Sequence, residues 1–390
     1  MPTVAVDLAQ LAPEGRNGGA ARFVLDLLAG LAPALDLVLL VRPGRDEAVA
    51  PVVAAGARLV VLDGAGGVPE PRRLRRTLRR LPRPLLGLLP VRDSLRRLGA
   101  DVLFSPLQSA AFHEPGLPHV AVAYDLQELA LPENFDAAER RRRAAFRADL
   151  RRATRVAAIS EATKADLVAR AGIRAVRVAV VPPAGPSERR PLADEALRAA
   201  LSPLGLVPGS YAFYPAAYWP HKNHARLLRA VARSPLARDP SFRLVLCGAL
   251  EEGREEAARL AAALRLETPV RLLGHLPDET VTALLQGARL LAFPSLFEGF
   301  GIPVLEALRL GAAVACSDLP ALRETAGDAA LFFDPGDEPA VGEALARLWS
   351  DGELRSRLAA AGLAAARRFP ANEVVPRYAA LLREAAERAR

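Results

Sequence analysis

Apolar, β-branched runs alternate with helix-period stretches along almost the whole chain. In the first half, strand patterns occupy 3–8, 35–41, 57–63, 100–106, 119–125, 154–160 and 176–183. Helical patterns such as GAARFVLDLLAGLA and FDAAERRRRAAFRADLRRA stand between them. The stretch VPPAGPSERRPLADE then concentrates Pro, Gly and charge, the composition of a linker. A second alternating series follows at 210–216, 242–248, 270–276, 288–295, 312–318 and 329–335, and helical pattern closes the chain from about 337. Strands that alternate with helices call for parallel, doubly wound sheets. The reading is an α/β chain of two Rossmann-like domains, 1–183 and 184–370, with a helix over 371–390 that packs back on the first domain. Ligands of such sheets bind at the carboxyl ends of the strands, so two facing domains put a site in the central cleft.

Composition narrows the class. With 51% hydrophobic and 25% charged residues, the 390-residue chain is globular rather than disordered. MPTVAVDLAQ reads as a first strand with no basic leader region, and no apolar run approaches the ~18 residues of a membrane span. Cys247 and Cys316 both lie in apolar runs, which fits buried thiols in the cytoplasm. The net charge of +8 is carried by arginine, since Lys164 and Lys222 are the only lysines. No aromatic-interleaved basic motif accompanies it, so nucleic acid is not an expected partner.

The run GIPVLEAL, 301–308, has Glu306 as its single polar side chain. As a helix it is apolar on nearly every side, and a buried carboxylate needs a partner because burying a bare charge costs several kcal/mol. Either the protein or a ligand supplies it. Upstream, Glu298 opens a turn in which Gly299 and Gly301 allow close backbone approach and Pro303 suits a helix start. The amides from Gly299 through Phe300 and Gly301 to Ile302, at a helix N-terminus, make an anion site. Two carboxylates beside it suit a ligand with phosphates and vicinal hydroxyls, a carboxylate accepting both O–H groups of a diol. The alternative is a Glu306 paired internally and a Glu298 that only complements the helix dipole.

FYPAAYWPHKNH, 213–224, places Lys222 just before another helix, as a point charge for a phosphate. His221 and His224 have helical spacing but flank an ammonium and lack a third ligand, so no metal site is expected. The first glycine turn, EGRNGGAARF, does not match G-x-G-x-x-G, and Arg42 stands where a nicotinamide enzyme needs an acidic ribose ligand.

These segments carry a resemblance that covers nearly the whole chain. Glu298 and Glu306 within FPSLFEGFGIPVLEAL look like the signature of the retaining GT-B glycosyltransferases of family 4 (glycosyl transferases group 1). FYPAAYWPHKNH and VRLLGHLPDETVTALLQGA resemble the phosphate- and base-binding segments of that family; GGAARF, VAVAYDLQELALPENF and VAAISEATKADL fit in the same order. The resemblance implies the GT-B fold and a hexose-like sugar moved from a nucleoside diphosphate to a glycan, lipid-linked or small-molecule acceptor in cell-surface polysaccharide synthesis. Glu306 would hold the ribose and Glu298 the transferred sugar. Lys222 and the Gly299–Ile302 amides would neutralise the leaving diphosphate in place of a metal or other cofactor. Gly274, His275 and Leu276 would bracket the base; Gly18, Gly19, Tyr124 and Asp125 would approach from the acceptor domain.

Two positions depart from the family pattern. Tyr124-Asp125 replaces His-Asp, and Ala216 to Trp219 lack the usual arginine upstream of the lysine, a gap that Arg22 could fill. A sugar-nucleotide-binding protein without turnover is the alternative outside enzymes. A pyridoxal-phosphate phosphorylase is the alternative within them, for which Lys164 and Lys222 are poor candidates. Finally, the arginines of PRRLRRTLRRLPRPLLGLLPVRDSLRRL, 71–98, read either as a solvated helix face or as peripheral contact with an anionic membrane at its inner face.

Overall fold

The fold is described by a computed structural model for residues 1–11, 18–62, 94–108, 111–183 and 189–388. The first sheet contains β1 (Thr3–Asp7), β2 (Asp36–Val41), β3 (Arg58–Val61), β4 (Val102–Ser105), β5 (His119–Ala123), β6 (Arg155–Ala158) and β7 (Val178–Val180). Its order is β3-β2-β1-β4-β5-β6-β7 and every pairing is parallel. Around it lie α1 (Gly18–Leu31), α2 (Asp46–Ala54), α3 (Ser94–Arg97), α4 (Gln127–Ala130), α5 (Ala137–Arg152) and α6 (Glu161–Ala169).

The second sheet contains β8 (Ala212–Pro215), β9 (Leu244–Cys247), β10 (Val270–Leu273), β11 (Leu290–Phe293), β12 (Val314–Ser317) and β13 (Ala330–Phe333), in the order β10-β9-β8-β11-β12-β13. It too is parallel throughout. Its helices are α7 (Asp194–Leu201), α8 (His224–Arg233), α9 (Glu251–Ala263), α10 (Asp278–Gly287), α11 (Ile302–Arg309), α12 (Pro320–Ala326), α13 (Glu338–Ser350) and α14 (Gly352–Ala366). All thirteen strands fall inside the stretches read as strands from the sequence. Central strands buried on both faces, such as Leu290–Phe293, read as unbroken apolar runs, which is why the pattern is legible. Strand order reverses between β1 and β4 and between β8 and β11, which puts a crevice at each switch point.

The last helix, α15 (Ala371–Glu387), leaves the second domain after Phe369 and crosses to the first. Tyr378 is fully buried, with its ring 6.3 Å from Phe23 of α1 and 5.8 Å from Phe104 of β4. Arg383 donates to the Ala34 carbonyl at 3.2 Å, and Glu384 pairs with Arg155. A Cβ at Gly30 would sit 2.7 Å from Val375, so the glycine lets α1 and α15 touch. Most of the basic stretch 71–98 lies outside the described residues. Of its described end, Leu95 is buried and Arg96 reaches the buried Glu114 at 3.3 Å. No helix among the described residues is long and apolar enough to cross a membrane.

The Tyr378 hydroxyl is buried with no hydrogen-bond partner among the described residues. Its ring therefore supplies the stabilisation. Tyr378→Ala is expected to cost about 3–5 kcal/mol, whereas Tyr378→Phe should be neutral or stabilising. Urea denaturation checks this: a Phe variant destabilised by more than about 1 kcal/mol would mean that the hydroxyl is bonded.

Candidate active site

The second sheet's switch point lies between β8 and β11, and the two sequence-predicted loops leave those strands side by side. Pro220–Lys222 forms a single 3₁₀ turn, and Asn223 follows in the left-handed region at φ 63°. The Asn223 side chain donates to the carbonyls of Pro294 and Pro335, both at 3.0 Å, while Leu296 N donates to His221 O at 2.7 Å. The buried Tyr214 hydroxyl donates to Lys222 O at 2.8 Å. This lattice fixes Lys222, whose Nζ lies 2.6 Å from Glu298 Oε1 with both side chains largely buried. His224 stacks against Tyr218 with ring centroids 4.4 Å apart, and Tyr214 lies 4.9 Å on. Burial, helped by Lys222, pushes His221 and His224 down to about 3, so both rings are neutral at physiological pH. His224 is thus an aromatic packing element. Among the described residues no group of three His, Cys, Asp or Glu side chains is placed to hold a metal.

After β11 the chain turns sharply into α11. None of the amides of Gly299, Phe300, Gly301 and Ile302 donates to a protein acceptor among the described residues. They form the anion-seeking end of the helix. Gly301 has φ 93°, and a Cβ there would meet Leu322 at 2.4 Å. The Phe300 side chain points into the core, 1% exposed and edge-on to Phe369 at 5.2 Å. Its expected donor contact therefore reduces to its backbone amide.

The protein does supply a cation for Glu306. Arg189, within the linker, places Nε 2.8 Å from Glu306 Oε1. It is held there by bonds to Asp278 O at 2.7 Å, Thr282 Oγ1 at 2.8 Å and Asp278 Oδ1 at 3.2 Å, and is only 8% exposed. The Arg189 N–H is not aligned on the carboxylate, so the contact balances charge without being a formed hydrogen bond. Burial raises the Glu306 pKa above the ordinary carboxylate value, and Arg189 partly counters it. No motif pointed to Arg189: it sits in a Pro/Arg-rich linker without periodicity. Gly274, His275 and Leu276 leave β10 just before Asp278, so the predicted base-binding turn adjoins this cluster; His275 is exposed.

The first domain reaches the same loop. A Cβ on Gly299 would lie 2.0 Å from the Tyr124 carbonyl oxygen, so only glycine fits. Ser160 and Thr163 at the start of α6 donate to Gly299 O at 2.6 and 3.2 Å. The Glu324 carboxylate of α12 accepts from Glu161 N at 2.9 Å and Ala162 N at 3.1 Å, capping α6 from the other domain. Arg22 pairs with Asp278 at 2.6 Å. That pair ties Arg22 to the cluster of Asp278 and Arg189. The Tyr124 hydroxyl donates to Pro106 O at 3.0 Å, within its own domain. Asp125 Oδ1 accepts from Gln127 N at 3.1 Å and Arg143 Nη1 at 3.2 Å. Arg143 lies near enough to His221 to help depress it, a cleft-facing residue that its Arg-rich helix concealed. Gly18 and Gly19 begin α1, and a Cβ on Gly19 would meet nothing within 4 Å.

Residues 17–189 match the Glycosyltransferase Family 4 domain and residues 208–364 the Glycosyl transferases group 1 domain. O-antigen chain mannosyltransferase B of Escherichia coli is 35% identical over 159 residues, 41% of this chain and 42% of that protein. The MMP alpha-(1->4)-mannosyltransferase of Mycolicibacterium hassiacum is 35% identical over 140 residues, 35% of this chain and 33% of that one. The matches thus span less than half the length of either relative. Anabaena Alr3699/HepE, solved with UDP-glucose, superposes over 98% of this chain and 100% of its own with a TM-score of 0.75 at 19% identity, a likeness of fold. The chain therefore has the GT-B fold, and its first and second halves are similar to the Glycosyltransferase Family 4 and Glycosyl transferases group 1 domains respectively.

Proposed function

We propose that the chain is a retaining glycosyltransferase that moves a mannosyl or similar hexosyl group from a nucleoside diphosphate to a glycan or lipid-linked glycan acceptor. The observation that carries the reading is the convergence at one switch point of Lys222, Glu298, Glu306 and four amides with no protein acceptor among the described residues. The mannosyl choice rests on the relatives' names. In this scheme the diphosphate lies against the amides from Gly299 to Ile302 and Lys222, which stabilise the charge that grows on the leaving oxygen without a metal. Glu306, balanced by Arg189 but without a formed hydrogen bond, accepts from the ribose diol. Glu298 shares its carboxylate between Lys222 and the sugar hydroxyls. The acceptor attacks from the face that the diphosphate leaves, and the departing phosphate takes its proton. Closure of the domains through Gly299 excludes water from the donor.

The test is incubation with UDP-, GDP-, ADP- and dTDP-sugars, GDP-mannose among them, scored for binding and for diphosphate release. Release with net retention, undiminished by a chelator, is expected. Binding without release under every acceptor tried would favour the sugar-nucleotide-binding alternative.

For Lys222→Ala the expected rate loss is about a hundredfold or more, unrepaired by added magnesium. The melting temperature should fall as well, because Glu298 loses its partner in a largely buried setting.

Glu306→Gln is expected to weaken nucleotide binding by about 1–3 kcal/mol. Its effect on stability has the opposite sign. A carboxyl whose folded pKa is raised contributes stability that is full below its unfolded pKa and is lost as pH rises through the folded one. Ionising this side chain therefore costs stability, and Gln, with Asp278 still paired to Arg189, should leave the melting temperature unchanged or higher. A lower melting temperature with unchanged affinity would make Glu306 a structural carboxylate.

Gly299→Ala should leave both domains folded while turnover drops on the order of a hundredfold, the scale of an ångström's misplacement. Circular dichroism with steady-state kinetics checks it; near-normal turnover would show that the Tyr124 approach is not needed.

A further inference from the structure

At the opposite edge of the second sheet, where β8, β11 and β12 begin, lies a cleft of about 380 Å³. It is separated from Lys222 and Glu298 by the length of β11, roughly 13 Å at ~3.3 Å per residue. Small residues, among them Gly209, Gly311 and Ala312, form its floor, and Arg289, Arg355 and Ser356 rise beside them.

The two arginines are fixed from behind. The Arg289 guanidinium stacks on Trp349, 4.5 Å from the ring centroid. Arg355 Nη1 donates to Leu348 O at 2.8 Å and Trp349 O at 2.7 Å, which caps the end of α13. These contacts leave most of their donors over. Among the described residues Arg289 makes no hydrogen bond or ion pair, and its Nε is buried without a partner. Arg355 has no carboxylate within ion-pair distance among the described residues. Of the bordering acids, Asp239 accepts from Ser241 and Trp349 and faces Arg289, and Asp351 accepts from Leu354 N and faces Arg355, neither within ion-pair distance among the described residues. Burial and the charge of Arg289 lower the pKa of Arg355, and Asp351 partly counters them.

We infer that this cleft is a second binding site, for a phosphorylated small molecule, formed by Arg289 and Arg355 with Ser356, its hydroxyl bonded to Gly352 O, at the exposed rim. Two preorganised guanidinium forks match phosphate oxygens better than they match each other. The volume falls within the ~300–1,000 Å³ of small-molecule sites and exceeds what a lone phosphate needs. The glycine and alanine floor leaves room for the sugar or nucleoside that carries the phosphate. The inference does not depend on the transferase reading, because none of these residues belongs to the donor site.

Calorimetric titration with inorganic pyrophosphate tests it, on the full chain and three variants. Wild type should show two classes of site. Lys222→Gln should weaken the donor-side class and leave the other. Arg289→Gln should weaken the other class at least about tenfold, the scale of a charged hydrogen bond. Ser356→Glu, which sets a carboxylate at the exposed rim while both arginines and the Trp349 stack remain, should do the same without lowering the melting temperature. A single class in wild type that Lys222→Gln removes would overturn the proposal. So would wild-type affinity at the second class in the folded Ser356→Glu and Arg289→Gln proteins.

Discussion

Two carboxylates buried at the tips of the second sheet set the terms for everything around them. Left bare, each would cost several kcal/mol. The protein places a cation against each, from a different segment: Lys222 from the loop after β8 for Glu298, and Arg189 from the linker for Glu306. Neither pair saturates its carboxylate. The Lys222 contact uses one oxygen of Glu298, and the Arg189 contact balances the charge on Glu306 without an aligned hydrogen bond. Unspent acceptor capacity beside four unspent amides is the physical form of a site that awaits a polar, anionic ligand.

The way the domains meet follows from the same loop. Apart from the Arg22–Asp278 pair, the contacts around Gly299 and α6 engage backbone groups: Gly299 against the Tyr124 carbonyl, Ser160 and Thr163 on Gly299 O, and Glu324 on the amides that open α6. Backbone groups have fixed reach, so the first domain registers on the Gly299 turn itself. The carboxylate of Glu324 is favourable at the N-terminus of α6 through the helix dipole as well as through its hydrogen bonds. The returning helix α15 ties the domains a second time, far from the cleft, with Tyr378 buried between α1 and β4.

Positive charge gathers at both edges of the second sheet, by different means. At the carboxyl edge it consists of amides with Lys222 and Arg189, already balanced by Glu298 and Glu306. At the amino edge it consists of two guanidinium groups held by a stack and a helix cap, with no carboxylate in contact among the described residues. The contrast follows from what each edge of a parallel sheet offers. Helix N-termini gather at the carboxyl edge, so side chains have to bring the cations at the other.

Thirteen strand patterns, the linker and the Lys222 and Glu298–Glu306 segments were legible in the sequence, because each depends on neighbours within a few residues. A strand buried on both faces writes itself as an apolar run. A turn into a helix writes itself as Gly, Pro and an isolated Glu. What only the tertiary structure decided are the partnerships between segments remote along the chain: Arg189 with Glu306, the Tyr124 hydroxyl turned to Pro106, Arg22 drawn to Asp278, and Gly299 required by a carbonyl of the other domain. One arginine among many carries no mark of which carboxylate it will meet. Electrostatic and steric pairing act through distance in space, and that distance is set only once the two sheets and the linker have been placed.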